Sequence, residues 1–185
     1  MELETLETDR LFLKKLTPEL FSQLFENYSE AEAIELLGLS THEEYLKEKM
    51  KAEGGYKTYD RTILAFLIIL KETNETIGRC GYHNWYLDHH KAEIGYHLHQ
   101  DKHKRKGYMT EAVTKILDYG FNELSLNRIE ANVAPDNLAS VTLIKNFGFS
   151  QEGHLRQHYV VGEETMDSLI FSLLKEEYKH PNTIP

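Results

Sequence analysis

The sequence predicts an α/β (α+β) chain: a mixed, mostly antiparallel twisted sheet of about seven strands with helices on both faces. Three observations carry that expectation. Apolar runs at 62–71, 76–85 and 92–99 follow one another with only short turns between them, the mark of an antiparallel meander. After Gly107, the residues Ala112, Val113, Ile116, Leu117, Phe121 and Leu124 recur at three- and four-residue spacing, the one-sided stripe of a helix packed on a core. Residues 127–174 then read as strand, helix and strand pair, so helices and strands interleave along the chain.

Taken in order, Thr5 to Lys14 reads as a first strand, with Leu11 and Leu13 alternating against Phe12 and Lys14. Thr17 caps a helix: Pro18 takes its first position, and Leu20, Phe21, Leu24 and Phe25 form its apolar stripe. Residues 29–60 are less regular. Ala31 to Leu37 reads as a short helix stopped by Gly38. Either Ser40 with Glu43 or Thr41 with Glu44 offers a capping box for a helix to Ala52, which Gly54-Gly55 stops. Thr62 to Lys71 is apolar on both faces, as a strand covered on both sides must be. Thr76 to Trp85 and Ala92 to His99 follow, the second with Ile94, Tyr96 and Leu98 on one face. Asn127 to Val133 alternates like a half-buried strand, and Asn137 to Asn146 is a helix with Val141, Ile144 and Phe147 spaced for the core. Gly153 to Val161 and Glu164 to Leu174 flank a hairpin turn at Gly162-Glu163, and 176–185 reads as a frayed tail.

A chain of 185 residues with 41% hydrophobic side chains is expected to form one domain, 1–185, with a sizeable core. Its longest apolar run, Ile63 to Leu70, suits a buried strand and falls far short of a membrane span. The opening Met1-Glu2-Leu3-Glu4 lacks the basic-then-apolar order of a signal peptide. The single cysteine, Cys80, excludes an internal disulfide and a cysteine-rich metal site, and reads as a buried strand residue. His89-His90 and His97-x-His99 come nearest to chelating spacing, but without a third ligand in register no metal is expected. These features fit a cytoplasmic protein, monomer or homodimer, with no membrane partner. The formal net charge of -9 argues against nucleic acid as a partner. Against that acidic background, positive charge gathers in one loop, 102–106.

That loop, His103-Lys104-Arg105-Lys106-Gly107, joins a strand to a helix beginning Tyr108-Met109-Thr110. The first turn of a helix carries unpaired N–H groups and the positive end of the dipole. Gly107 lets the backbone approach a ligand closely, and Lys104, Arg105 and Lys106 add charge. A basic run alone reads as a solvated turn capping a helix; the strand–loop–helix context favours a phosphate-bearing ligand instead.

Lys104 to Met109 resembles the Gln/Arg-x-x-Gly-x-Gly/Ala signature of the GNAT superfamily of acetyl-CoA-dependent N-acetyltransferases, with Lys104 and Met109 departing from the usual residue types. Ala92-Glu93-Ile94-Gly95-Tyr96, the run from Gly107 to Ala112, and Asn127 to Ala131 through Asn137-x-x-Ser140 to Phe147-Gly148-Phe149 extend the resemblance over nearly the whole chain. The opening Thr8-x-Arg10-Leu11-x-Leu13 resembles the RimJ/RimL-like branch, the ribosomal-protein N-terminal acetyltransferases. The resemblance implies the GNAT fold, acetyl-CoA as cosubstrate, an amine acceptor, and 29–60 as a variable segment bordering the acceptor.

The implied reaction is direct attack of an amine on the acetyl thioester. It needs a hydrogen-bond donor for the thioester oxygen, a neutral amine, and a proton for the departing thiolate. The family takes the first from backbone N–H groups where the fourth strand splays from the fifth, here His97, Leu98 and His99. Thr110, in the first turn of the helix, belongs with Tyr108 and Met109 among the expected coenzyme A contacts, as does Asn137. Most GNAT proteins place a proton-donating tyrosine four residues before the closing Gly-Phe; here that residue is Ile144. The RimJ/RimL-like branch offers Ser140 instead, three residues after Asn137. Glu93 and Asp167 are the expected site carboxylates, with an ion pair to Arg128 or Arg156 as the alternative role; His83 and Tyr159 are further candidates. The acceptor is either a protein N-terminus or a small amine such as a polyamine or antibiotic, and a non-catalytic acyl-CoA sensor is the reading from another class.

Overall fold

The computed structural model describes residues 3–56, 58 and 60–179. The end of the predicted tail, 180–185, and positions 57 and 59 of the irregular segment lie outside the described residues. The elements run β1 (Thr5–Glu7), β2 (Leu11–Leu16), α1 (Pro18–Asn27), α2 (Glu30–Leu37), α3 (His42–Glu53), β3 (Arg61–Leu70), β4 (Thr76–Tyr86), β5 (Lys91–Leu98), α4 (Tyr108–Asn122), β6 (Arg128–Val133), α5 (Leu138–Asn146), β7 (Ser150–Val161) and β8 (Glu164–Leu174). The strands form one sheet in the order β1-β2-β3-β4-β5-β6-β8-β7. All neighbours are antiparallel except β5 and β6.

Among the described residues the sheet has eight strands rather than about seven because the predicted first strand is a hairpin. Thr8 N–H donates to the Leu11 carbonyl, and β1 folds back on β2 with Leu6 opposite Leu13. The alternation of Leu11 and Leu13 is unaffected, and both are fully buried.

Two cores follow from the two faces. Phe66 and Ile68 of β3 face α4 and α5 together with Ile94, Ile116, Phe121 and Ile144. Leu67 and Ile69 face α1, α2 and α3 together with Phe21, Leu24 and Leu37. The doubly apolar run of β3 therefore has a partner on each side, and each buried Leu, Ile or Phe contributes about 1.5–3 kcal/mol. Close packing joins α4 to β4: the buried Tyr82 hydroxyl donates to the Ile116 carbonyl at 2.6 Å. Gly120 leaves room for that ring, since a Cβ there would meet the hydroxyl at 2.1 Å.

The helix signals resolve as follows. Thr17 caps α1 with Pro18 at its start. Ser29 and Glu32 form a full capping box at α2, so the helix begins before Ala31. Thr41, not Ser40, caps α3, accepting from Glu44 N–H. The start of the predicted frayed tail is docked: the Tyr178 ring packs on Phe121 with centroids 4.9 Å apart. Among the described residues no helix is long and apolar enough to cross a membrane.

Candidate active site

The site begins where the parallel pair fails. β5 and β6 are in register only from Lys91–Arg128 to Glu93–Glu130. Beyond Glu93, β5 stays with β4 and β6 stays with β8, so a gap opens between them. The His99 N–H donates to Ile77 at 2.9 Å. Antiparallel ladders alternate the direction of their backbone groups, so His97 and His99 turn theirs toward β4 while Tyr96 and Leu98 turn theirs into the gap. Of the three predicted backbone donors, Leu98 is the one that faces the opening.

A cavity of about 520 Å³ lies along this gap. Its walls are Tyr96, His97 and Leu98 of β5, the loop residues His103, Lys104, Arg105 and Gly107, the first-turn residues Tyr108, Met109 and Thr110 of α4, and Asn137, Ala139, Ser140 and Leu143 at α5. Lys106 is not among them. Its carbonyl accepts from Arg10 Nη1 at 3.0 Å, so this position anchors the loop. Lys104 reaches Asp101 at 2.6 Å, and Lys102 reaches Glu75 at 2.8 Å. Arg105 and Gly107 both adopt left-handed backbone, φ 60 and φ 80. Glycine takes that conformation freely; arginine does so at a cost of about 1–3 kcal/mol, which the surrounding structure must hold. Gly107 caps α4 without a side-chain acceptor for the first-turn N–H groups, and Tyr108, Met109 and Thr110 of that turn line the cavity.

The loop is clamped from a distance. The Glu111 carboxylate accepts from Thr8 Oγ1 at 2.7 Å, Arg10 N–H at 2.8 Å and Arg10 Nε at 2.7 Å. Partial burial opposes the charge on Glu111, but these donors outweigh it and hold its pKa below the usual carboxylate value. Arg10 also lies over the Tyr108 ring, 4.6 Å from its centroid. The Thr8-x-Arg10 pattern is thus the device that ties the β1–β2 turn to the start of α4.

A second cavity, about 340 Å³, opens on the other side of the gap. His83, Glu93, Ile94 and Gly95 line it from β4 and β5, Ala131, Asn132 and Val133 from β6, and Tyr159 from β7. Tyr96, Asn137 and Ser140 line both cavities, so the two meet at these three residues. Glu93 is buried, with His83 Nε2 3.1 Å from one carboxylate oxygen and Asn84 Nδ2 donating to the other at 3.0 Å. Burial pushes its pKa up, and the His83, Asn84 and Asn132 side chains pull it down by more; Glu93 stays ionised. Gly95 makes room for the His83 ring, which lies 2.9 Å from where a Cβ would stand.

The remaining predicted residues separate. Asn137 caps α5, its Oδ1 accepting from Ser140 N–H at 3.1 Å. Ile144, one turn beyond Ser140, is wholly buried. Asp167 lines neither cavity; it accepts from His154 at 2.7 Å and from Gln157 N–H at 2.8 Å, pinning the irregular middle of β7. Arg128 pairs with Glu130 and Glu152 instead of either carboxylate, while the Arg156 charge, after the Gln157 and His154 bonds, helps to lower the Asp167 pKa without an ion-pair contact. His97 and His99 pack edge to face, 5.1 Å apart. Among the described residues no three His, Cys, Asp or Glu side chains gather where a metal could sit. No described residue of 29–60 lines either cavity. The segment reaches the site indirectly, through Glu48 of α3, which pairs with Arg79, the β4 residue opposite His97.

Among the polar side chains lining the two cavities, Tyr96, His103 and Asn132 are those that sequence reasoning passed over. Tyr96 reads as one more apolar-face residue of a strand, and nothing local signals that its hydroxyl lies at the junction.

The acetyltransferase (GNAT) domain family matches residues 10–150. The chain is 37% identical over 177 residues to the uncharacterized N-acetyltransferase p20 of Bacillus licheniformis, covering 95% of this chain and 99% of that protein. It is 33% identical over 171 residues to the uncharacterized N-acetyltransferase YoaA of Bacillus subtilis (strain 168), covering 92% and 96%. An acetyltransferase (GNAT family) structure from Bacillus anthracis superposes with a TM-score of 0.66 at 25% identity, over 94% of this chain and 100% of that one. With its splayed strands and glycine loop inside the matched span, the chain belongs to the GNAT acetyltransferase family and is an acetyltransferase.

Proposed function

We propose that this enzyme acetylates the α-amine at a peptide N-terminus, as the RimJ/RimL-like branch does, with acetyl-CoA bound in the larger cavity. The observation that carries the reading is Glu93: a buried, ionised carboxylate in a cavity that meets the larger one at Tyr96, Asn137 and Ser140.

The larger cavity fits coenzyme A. The open helix start at Gly107 and the cations Lys104 and Arg105 suit its phosphates, and the gap suits an extended arm that ends beside the Leu98 N–H. When bound, acetyl-CoA supplies an activated acetyl group. Leu98 N–H is oriented to hydrogen-bond the thioester oxygen. Glu93 attracts the incoming ammonium, and His83, half exposed beside it, gives the released proton a route to water.

The charge of the site favours an α-amine. Among the described residues Glu93 is the one carboxylate lining the smaller cavity, enough for a single ammonium rather than a polyamine. Its lowered pKa makes it a weak base. A peptide α-amine, pKa about 8, is already partly neutral at pH 7, whereas a lysine amine, about 10.4, is not. The test is a peptide panel read by mass spectrometry: free N-terminus with blocked lysines, blocked N-terminus with free lysine, and spermidine. The reading expects the first to be at least tenfold better in kcat/KM. Preference for lysine or spermidine would overturn it.

A further inference from the structure

The departing thiolate needs a proton, and the position from which most of the family supplies it holds Ile144, fully buried in the core. The structure contains another phenol at the right place. Tyr96 projects from β5 into the junction, where it lines both cavities. Its hydroxyl oxygen is buried and, among the described residues, has no partner at hydrogen-bonding distance. An unsatisfied buried hydroxyl costs about 1–3 kcal/mol, so a fold that keeps one at the meeting point of two cavities is holding it for a ligand atom. Ser140 lies beside it, near enough to draw the Tyr96 pKa down, though burial outweighs this and leaves it raised. The phenol is therefore protonated at neutral pH.

We infer that the Tyr96 hydroxyl, and not Ser140, is the group that protonates the coenzyme A sulfur, with Ser140 returning a proton to Tyr96 from solvent. The inference rests on the acetyl-transfer reading above. The balance is simple. The amine nitrogen bonds to the acetyl carbon, and the carbon–sulfur bond breaks with its electron pair leaving on sulfur. Tyr96 gives its O–H proton to that sulfur. Ser140 passes a proton from water to the phenolate, and the proton lost by the amine leaves through the smaller cavity by way of Glu93 and His83. No further reactant is required.

The experiment uses Tyr96→Phe, which keeps the ring and removes the hydroxyl. Calorimetry should find that wild-type protein holds coenzyme A about tenfold more tightly than desulfo-coenzyme A, and that Tyr96→Phe erases this difference while retaining affinity for the desulfo compound. Turnover should fall about 100-fold, the range for loss of a general acid, with KM for acetyl-CoA changed less than threefold. A second variant with 3,5-difluorotyrosine at position 96, of nearly the same shape but more acidic, should move the alkaline limb of the kcat profile to lower pH. An unmoved limb, or full turnover in Tyr96→Phe, overturns the role of Tyr96 and leaves acetyl transfer intact. Failure of wild-type protein to bind either coenzyme A compound overturns the acetyl-transfer reading itself, and this inference with it.

Discussion

The two cavities are built in different ways. The larger one takes most of its wall from one continuous stretch, Tyr96 to Thr110, and adds the start of α5. The smaller one is assembled from short pieces of β5 and β6, with added residues from β4, the start of α5 and β7. A wall made from a continuous segment is specified by local rules: a strand, a glycine able to take positive φ, a helix start. A wall assembled from five elements is specified by strand register, which depends on pairings far apart in sequence. The proposed donor side is therefore a local motif held in place, whereas the proposed acceptor side exists only in the completed sheet.

Substitutions can break this distinction at either end. The largest effect is expected for Gly107→Pro. It forces φ near −65° where the chain requires 80, and removal of the left-handed turn should weaken acetyl-CoA binding about 100-fold, the upper range of local backbone strain. Calorimetry measures this, and a cooperative melt confirms that the sheet persists. Comparable in size but opposite in pattern is Glu93→Gln. Turnover should fall about 100-fold with acetyl-CoA affinity unchanged within about twofold, since Glu93 lines only the smaller cavity.

Glu111→Gln comes next. It keeps the shape but weakens the acceptor of the Thr8 and Arg10 bonds, so acetyl-CoA affinity should drop about tenfold, equal to about 1.4 kcal/mol, a typical charge-assisted bond. The same residue gives a pH signature. Its folded pKa is depressed, so its stabilisation is complete above the ordinary carboxylate value and is lost as pH falls through the lower folded value. Thermal melts from pH 7 down to about 3 should therefore show a steeper loss in wild-type protein than in Glu111→Gln. Equal slopes would mean that the clamp contributes nothing. The smallest effect is expected for Asp167→Ala: less than a twofold change in kcat/KM, because the residue pins β7 outside both cavities. A tenfold loss would extend the acceptor site to β7 and redraw its boundary.

What was legible in the sequence follows the same division. The meander, the α4 stripe, the cap at Thr17 and the glycine loop all arise from neighbours within a few residues, and each stands where periodicity places it. The β1–β2 turn was hidden because the alternation from Leu11 onward looks continuous with Thr5 to Glu7, and no glycine, proline or asparagine marks the break. What fixes that turn is a carboxylate roughly a hundred residues away, Glu111, which no local pattern announces. Among the site residues, Lys106 was read by charge, although its carbonyl is what the fold uses. The family resemblance places Asp167 at the site, but the irregular pairing between Leu155 and Tyr159 brings it to His154 instead. Tyr96 was seen on the correct face, but the junction it enters exists only because β5 and β6 part after Glu93.

The central claim is that the gap between those strands holds coenzyme A along the Gly107 loop. Calorimetric titration of the purified protein with acetyl-CoA, desulfo-coenzyme A and ATP tests it directly. The account predicts one site per chain filled by both coenzyme A compounds, with ATP bound at least tenfold more weakly. Absence of binding by both coenzyme A compounds would contradict it, and would leave the glycine loop as a structural turn in a fold retained without its ligand.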